Sequence, residues 1–169
     1  MFNRIFVVWV ALLAIGLTAC SDMINIQPNA DGTATLTINL GETEINTAIT
    51  TALINSNEPV VRDTNVDLQD GQMVISGEYD RQNGTSTVAG SLTVEVALVN
   101  GEVQASITEV NAEGWDTSDE RIQNFNQQLS EVLQGLALNN NENATLESVN
   151  ITDDALSIAI RLQQGAGGN

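Results

Sequence analysis

The chain has 169 residues, with 22 aspartates and glutamates against five arginines, no lysine and no histidine, for a formal net charge of −17. A surface of this sign repels phosphate backbones and anionic headgroups, which excludes nucleic acid as a partner. With a single cysteine, Cys20, and no histidine or lysine, the Ser-His-Asp, Cys-His and Ser-Lys nucleophile systems and the usual zinc ligands are absent, so the composition predicts a non-enzymatic protein without metal or cofactor.

Met1-Phe2-Asn3-Arg4 is a short cationic start, and Ile5 to Leu17 runs without a charge or a side-chain amide. A permanent helical span needs about 18 to 20 apolar residues, so residues 1–19 read as a signal peptide. Leu17-Thr18-Ala19-Cys20 resembles the lipobox of bacterial lipoproteins, which implies cleavage before Cys20 and lipidation of its thiol. Two or more acyl chains, at about 0.8 kcal/mol per buried methylene, hold a protein stably on a membrane. The resemblance implies a lipid-anchored protein on the extracytoplasmic face of a cell membrane or outer membrane. Beyond Cys20 no thiol remains for a disulfide, and the roughly 150 residues left are the size of one ordinary domain.

Residues 20–32 are polar and patternless and read as a lipidated N-terminus with a flexible tether. Within them Asn29-Ala30-Asp31-Gly32-Thr33 looks like part of a calcium loop, but Leu40 stands where the distal glutamate belongs, so a plain turn is favoured. The domain is expected over residues 33–163, with a disordered tail at 164–169.

Thr35 to Leu40 alternates polar and apolar residues, the period of a strand with one buried face. Ile45, Ile49 and Leu53 then recur every four residues, giving one apolar helix side, although Thr47, Thr50 and Thr51 weaken it. Pro59 ends that pattern. Four antiparallel strands should follow, turning at Asp70-Gly71, Asn83-Gly84 and Asn100-Gly101, of which Asp-Gly signals a type I′ turn. The clearest strand carries Leu92, Val94, Val96 and Leu98 on one face.

Thr117-Ser118-Asp119-Glu120 fits a capping box, opening a second helix whose Ile122, Phe125, Leu129, Val132, Leu133 and Leu136 form a continuous apolar stripe. Trp115, just before it, reads as a plug at one end of the interior. Leu146 to Ile151 and Leu156 to Leu162 make a final hairpin through Asp153-Asp154. The expected fold is α+β: one curled antiparallel sheet of about six or seven strands covered by two amphipathic helices, in the order β-α-β-β-β-β-α-β-β.

From the first helix through Val60-Val61-Arg62-Asp63-Thr64-Asn65-Val66-Asp67-Leu68, Gly71-Gln72-Met73-Val74-Ile75-Ser76-Gly77 and Gly101-Glu102-Val103-Gln104-Ala105, the chain resembles small envelope proteins of the LmeA and YpmS kind. Their relation to tubular lipid-binding domains implies a lipid or another apolar ligand. Such a ligand would lie between helices and sheet, against Ile45, Ile49, Leu53, Leu92, Val94, Val96, Phe125, Leu129 and Leu133. The alternative is a solid core, with the acidic surface docking a basic protein partner in an envelope assembly.

Overall fold

The computed structural model describes residues 23–54, 61–80, 86–138 and 144–163. Along the chain run β1 (Ile24–Pro28), β2 (Thr33–Leu40), α1 (Glu42–Ile54), β3 (Val61–Gln69), β4 (Gln72–Asp80), β5 (Thr87–Val99), β6 (Glu102–Asn111), α2 (Glu120–Leu138), β7 (Ala144–Ile151) and β8 (Leu156–Gln163). The strands form two antiparallel sheets of four, ordered β1-β2-β8-β7 and β3-β4-β5-β6. The expectation of one sheet with six or seven strands is therefore wrong. Alternation along a strand reports which face is buried but not which strand lies alongside. Here α1 carries the chain away from the first hairpin, and only the C-terminal hairpin returns to it, pairing Leu36 with Ile160 and Ile38 with Ile158.

The segment Ile24–Pro28, which reads as tether, is a strand paired with β2 from Ile24↔Ile38 to Pro28↔Ala34. It lies at the edge of the first sheet, where a proline costs no ladder bond. Its turn is closed by its own side chains: Asp31 accepts from the amide of Thr33 at 3.0 Å and its hydroxyl at 2.7 Å, and Asn29 donates to the hydroxyls of Thr33 and Thr35. The Thr33 bonds, helped by Arg161, hold the Asp31 carboxyl below its usual range.

Helix α1 tolerates its threonines because the hydroxyls of Thr47, Thr50 and Thr51 each donate to the carbonyl four residues back, at 2.8 Å. Helix α2 begins two residues later than the capping box predicts. Asp119 accepts from the amide of Arg121 at 3.0 Å, while Asp116 holds the amide and hydroxyl of Ser118. Asp119 thus takes the capping role expected of Thr117.

At Asn100-Gly101 both residues have positive φ, 54° and 86°, as a type I′ turn requires. At Asp70-Gly71 only the glycine does, at 82°, so that turn is of another type. Asn83-Gly84, Pro59, Cys20 and the 164–169 tail lie outside the described residues.

The second sheet curls tightly at one end. Gly77 and Gly90 are directly paired across β4 and β5. A Cβ on Gly77 would come within 2.6 Å of the Arg62 carbonyl, and one on Gly90 within 2.7 Å of the Asn111 carbonyl. Beside Gly77, β3 bulges between Arg62 and Asn65, with Asp63 at φ 49°. Bulges of this kind increase local twist.

The helices complete the curl. Helix α1 lies against β3, α2 against β6, and the helices touch each other, so the second sheet and both helices close a ring. The first sheet packs its apolar face on this ring, and the amide of Gly71 ties the sheets together by donating to the Ile151 carbonyl at 3.1 Å.

Candidate functional site

The interior of the ring is where the expected ligand-lining residues meet. Ile45, Ile49 and Leu53 enter from α1, Leu92 and Val94 from β5, and Phe125, Leu129 and Leu133 from α2, all buried in one apolar cluster. Val96 is half-buried and packs against it. The cluster also takes Met73, Ile75 and Tyr79 from β4, Val103, Ala105 and Ile107 from β6, and Leu156, Ile158 and Ile160 from β8. Among the described residues no charged side chain is buried, and Tyr79 brings a hydroxyl into the cluster. Such an interior matches acyl chains in chemistry and offers no group for acid–base work.

Trp115 closes one end, as its position predicts. Its indole Nε1 donates to the Asp80 carbonyl at 3.0 Å, its ring meets Tyr79 edge-on at 6.4 Å, and the Arg121 guanidinium stacks 3.7 Å above it. The Tyr79 hydroxyl donates to the Ile75 carbonyl at 3.1 Å, and burial pushes its pKa well above the ordinary 10.0. An unfolded chain releases this proton near 10.0 while the fold retains it, so stability should fall as pH rises above that value. Because this is the chain's only tyrosine, titration of tyrosinate absorbance should coincide with loss of the fold. Tyr79→Phe should remove that alkaline slope, at a cost of about 1 kcal/mol for the lost hydrogen bond.

Along the ring's seam runs a polar zip that sequence reading missed. As an edge strand, β6 leaves every second amide unpaired, and α2 supplies acceptors. Gln134 takes the amide of Val103 at 2.6 Å, Ser130 that of Ala105 at 2.9 Å and Asn126 that of Ile107 at 3.1 Å. Four helical residues rise about 6 Å and two strand residues about 6.6 Å, so the repeats match over this distance. The signal was present as small or amide side chains four apart beside the apolar stripe. Glu42 does the same for the other edge, accepting from the Leu68 amide at 3.0 Å. Above the zip lies an open groove of about 440 Å³, floored by Val103 and Ala105 and rimmed by Glu102, Gln104, Gln127 and Glu131. Replacing Ser130 with alanine should cost about 1 kcal/mol and speed hydrogen exchange at the Ala105 amide, leaving Leu92 in the sheet centre protected.

The first sheet adds a second apolar surface. Residues facing the ring are buried, including Leu156, Ile158, Ile160 and Leu146, whereas on the same face Leu36 and Ile38 are half-buried and Ile24 and Ile26 are exposed. Its opposite face is polar, with Ser157 bonded to Asn39 and Arg161 to Glu147 and Asp31.

A family model described as LmeA-like phospholipid-binding matches residues 14–161. The chain belongs to the LmeA-like phospholipid-binding family. The match runs through both sheets and both helices and into β8. No curated protein and no solved structure matches the chain. Among the described residues no helix is long and apolar enough to cross a membrane.

Proposed function

We propose that this LmeA-like protein is a lipoprotein, cleaved before Cys20 and anchored through it on the extracytoplasmic side of the cell envelope, which holds phospholipid acyl chains between its helices and the second sheet. The observation that carries the ligand site is the apolar interior of the ring, where Ile45, Ile49, Leu53, Leu92, Val94, Phe125, Leu129 and Leu133 converge with Val96 at the margin. A phospholipid-binding family and an apolar interior without a charged side chain ask for the same ligand chemistry. The acidic surface favours zwitterionic over anionic headgroups. In this reading the protein acts by binding and not by catalysis.

The test is native mass spectrometry of the full chain extracted from its membrane in mild detergent. A co-purifying phospholipid, displaced when Leu129 is changed to phenylalanine in a variant whose circular dichroism is unaltered, is the expected result. A mass without bound lipid, before and after incubation with phosphatidylcholine, would overturn it.

One observation favours a second reading, docking of a basic protein. Each arginine among the described residues already faces a carboxylate: Arg62 meets Asp80 at 2.7 Å, Arg121 meets Asp119 at 3.8 Å and Arg161 meets Glu147 at 2.5 Å. The surplus carboxylates are left to an external cation. Docking of this kind weakens above about 0.15 M salt, and acyl burial does not.

A further inference from the structure

Of the five exposed large apolar side chains among the described residues, the two most exposed share one face of β1: Ile24 and Ile26, at 56% and 64% exposure. Ile24 and Ile26 stand opposite Ile38 and Leu36 on one face of the first hairpin, and Met23 prolongs the strand by accepting from the Asn39 amide at 2.8 Å. Asn25, Gln27, Thr35 and Thr37 occupy the other face. The hairpin is amphipathic, and neither strand carries a charged residue. A contiguous apolar patch of this kind marks a contact surface.

Chain length says what makes the contact. Cys20 precedes Ile24 by four residues, and a residue spans at most about 3.6 Å. Whatever path those residues take, the patch begins within about 15 Å of the Cys20 backbone. With lipid on Cys20, the reading proposed above and on which this inference rests, that is within reach of the headgroup layer. We infer that the β1–β2 hairpin lays Ile24, Ile26, Leu36 and Ile38 on the headgroup–acyl boundary of the membrane that carries the anchor.

Two features set the depth and the kind of lipid. Among the described residues no strand adjoins the outer edge of β1, so its backbone groups need water and the hairpin stays at the interface. Neither strand carries a charge, and the carboxylates around the hairpin, Asp31 in the turn and Glu147 beside it, share the single cation Arg161, which suits zwitterionic and not anionic lipid. The same apolar face continues through Leu36 and Ile38 to Ile160 and Ile158 in the core. An acyl chain leaving the bilayer beside the hairpin would cross no polar row on the way in.

The full-length protein in phosphatidylcholine vesicles tests this. Ile24→Cys, Ile26→Cys, Asn25→Cys and Gln27→Cys variants, all at exposed positions, are each labelled with an environment-sensitive fluorophore. Quenching by spin-labelled lipid should be several-fold stronger at 24 and 26 than at 25 and 27, with aqueous iodide showing the opposite order. Equal iodide access at all four positions overturns the inference. So does shielding at 24 and 26 that lipid does not quench and that grows with protein density, because a second copy would then cover the face. The mass of the N-terminal peptide is read in parallel. Cys20 without acyl mass sinks the anchor, whereas acylated Cys20 with a wet face sinks the docking inference alone.

Discussion

Phe125→Ala is expected to lower the stability of the domain by about 3 to 5 kcal/mol, the range for emptying a large buried aromatic site. The ring of Phe125 is 2% exposed, at the centre of the α2 stripe, and packs in the same cluster as the inward faces of α1 and β5. Domains of this size have about 5 to 15 kcal/mol in total, so much of the margin would go, visible as a lower urea midpoint at unchanged slope. The size of the loss also bears on function. A cost below about 1 kcal/mol would mean that the phenyl ring borders space already open, as in a preformed acyl site, because the cavity cost depends on how closely the surroundings pack.

Gly77→Ala and Gly90→Ala should each cost about 1 to 3 kcal/mol, by overpacking and not by loss of burial. At both positions the added methyl meets a backbone carbonyl, of Arg62 or of Asn111, which cannot rotate aside as a side-chain end could. The curl of the second sheet must relax instead, drawing β3 from α1 or β6 from α2. Since the glycines are paired across β4 and β5, the double variant should cost less than the two losses added, with a coupling of about 0.5 to 3 kcal/mol. Denaturant titration of the two single variants and the double variant measures this. Strict additivity would mean that each site yields independently and that the curl is not one shared deformation.

Recognition of the LmeA-like family rested on the order of a helix before long strands and on glycine placement, and the family match bears it out over residues 14–161. The inward residues of both helices and of β5 were legible for a simple reason. Burial on one face imposes a period of 3.6 or 2 on the sequence itself, and Ile45, Phe125 and Leu92 each carry it. Trp115 was legible from its place between a strand end and a helix start. Strand Ile24–Pro28 was missed because it is an edge strand with two apolar residues and a proline, and its fully exposed burial pattern leaves little signal.

Composition, charge and local periodicity by themselves determined the absence of histidine and lysine chemistry, the acidic surface and the inward face of each helix. These are properties of residues and of neighbours a few positions apart. Partnership was decided by the tertiary structure: two sheets instead of one, β8 beside β2, the zip of Asn126, Ser130 and Gln134 on the β6 edge, and an apolar face open at Ile24 and Ile26. A strand's alternation is the same whichever strand it pairs with, and exposure depends on what the rest of the chain leaves uncovered. Both are settled only when segments more than 100 residues apart meet, as Asn39 and Ser157 do at 2.8 Å.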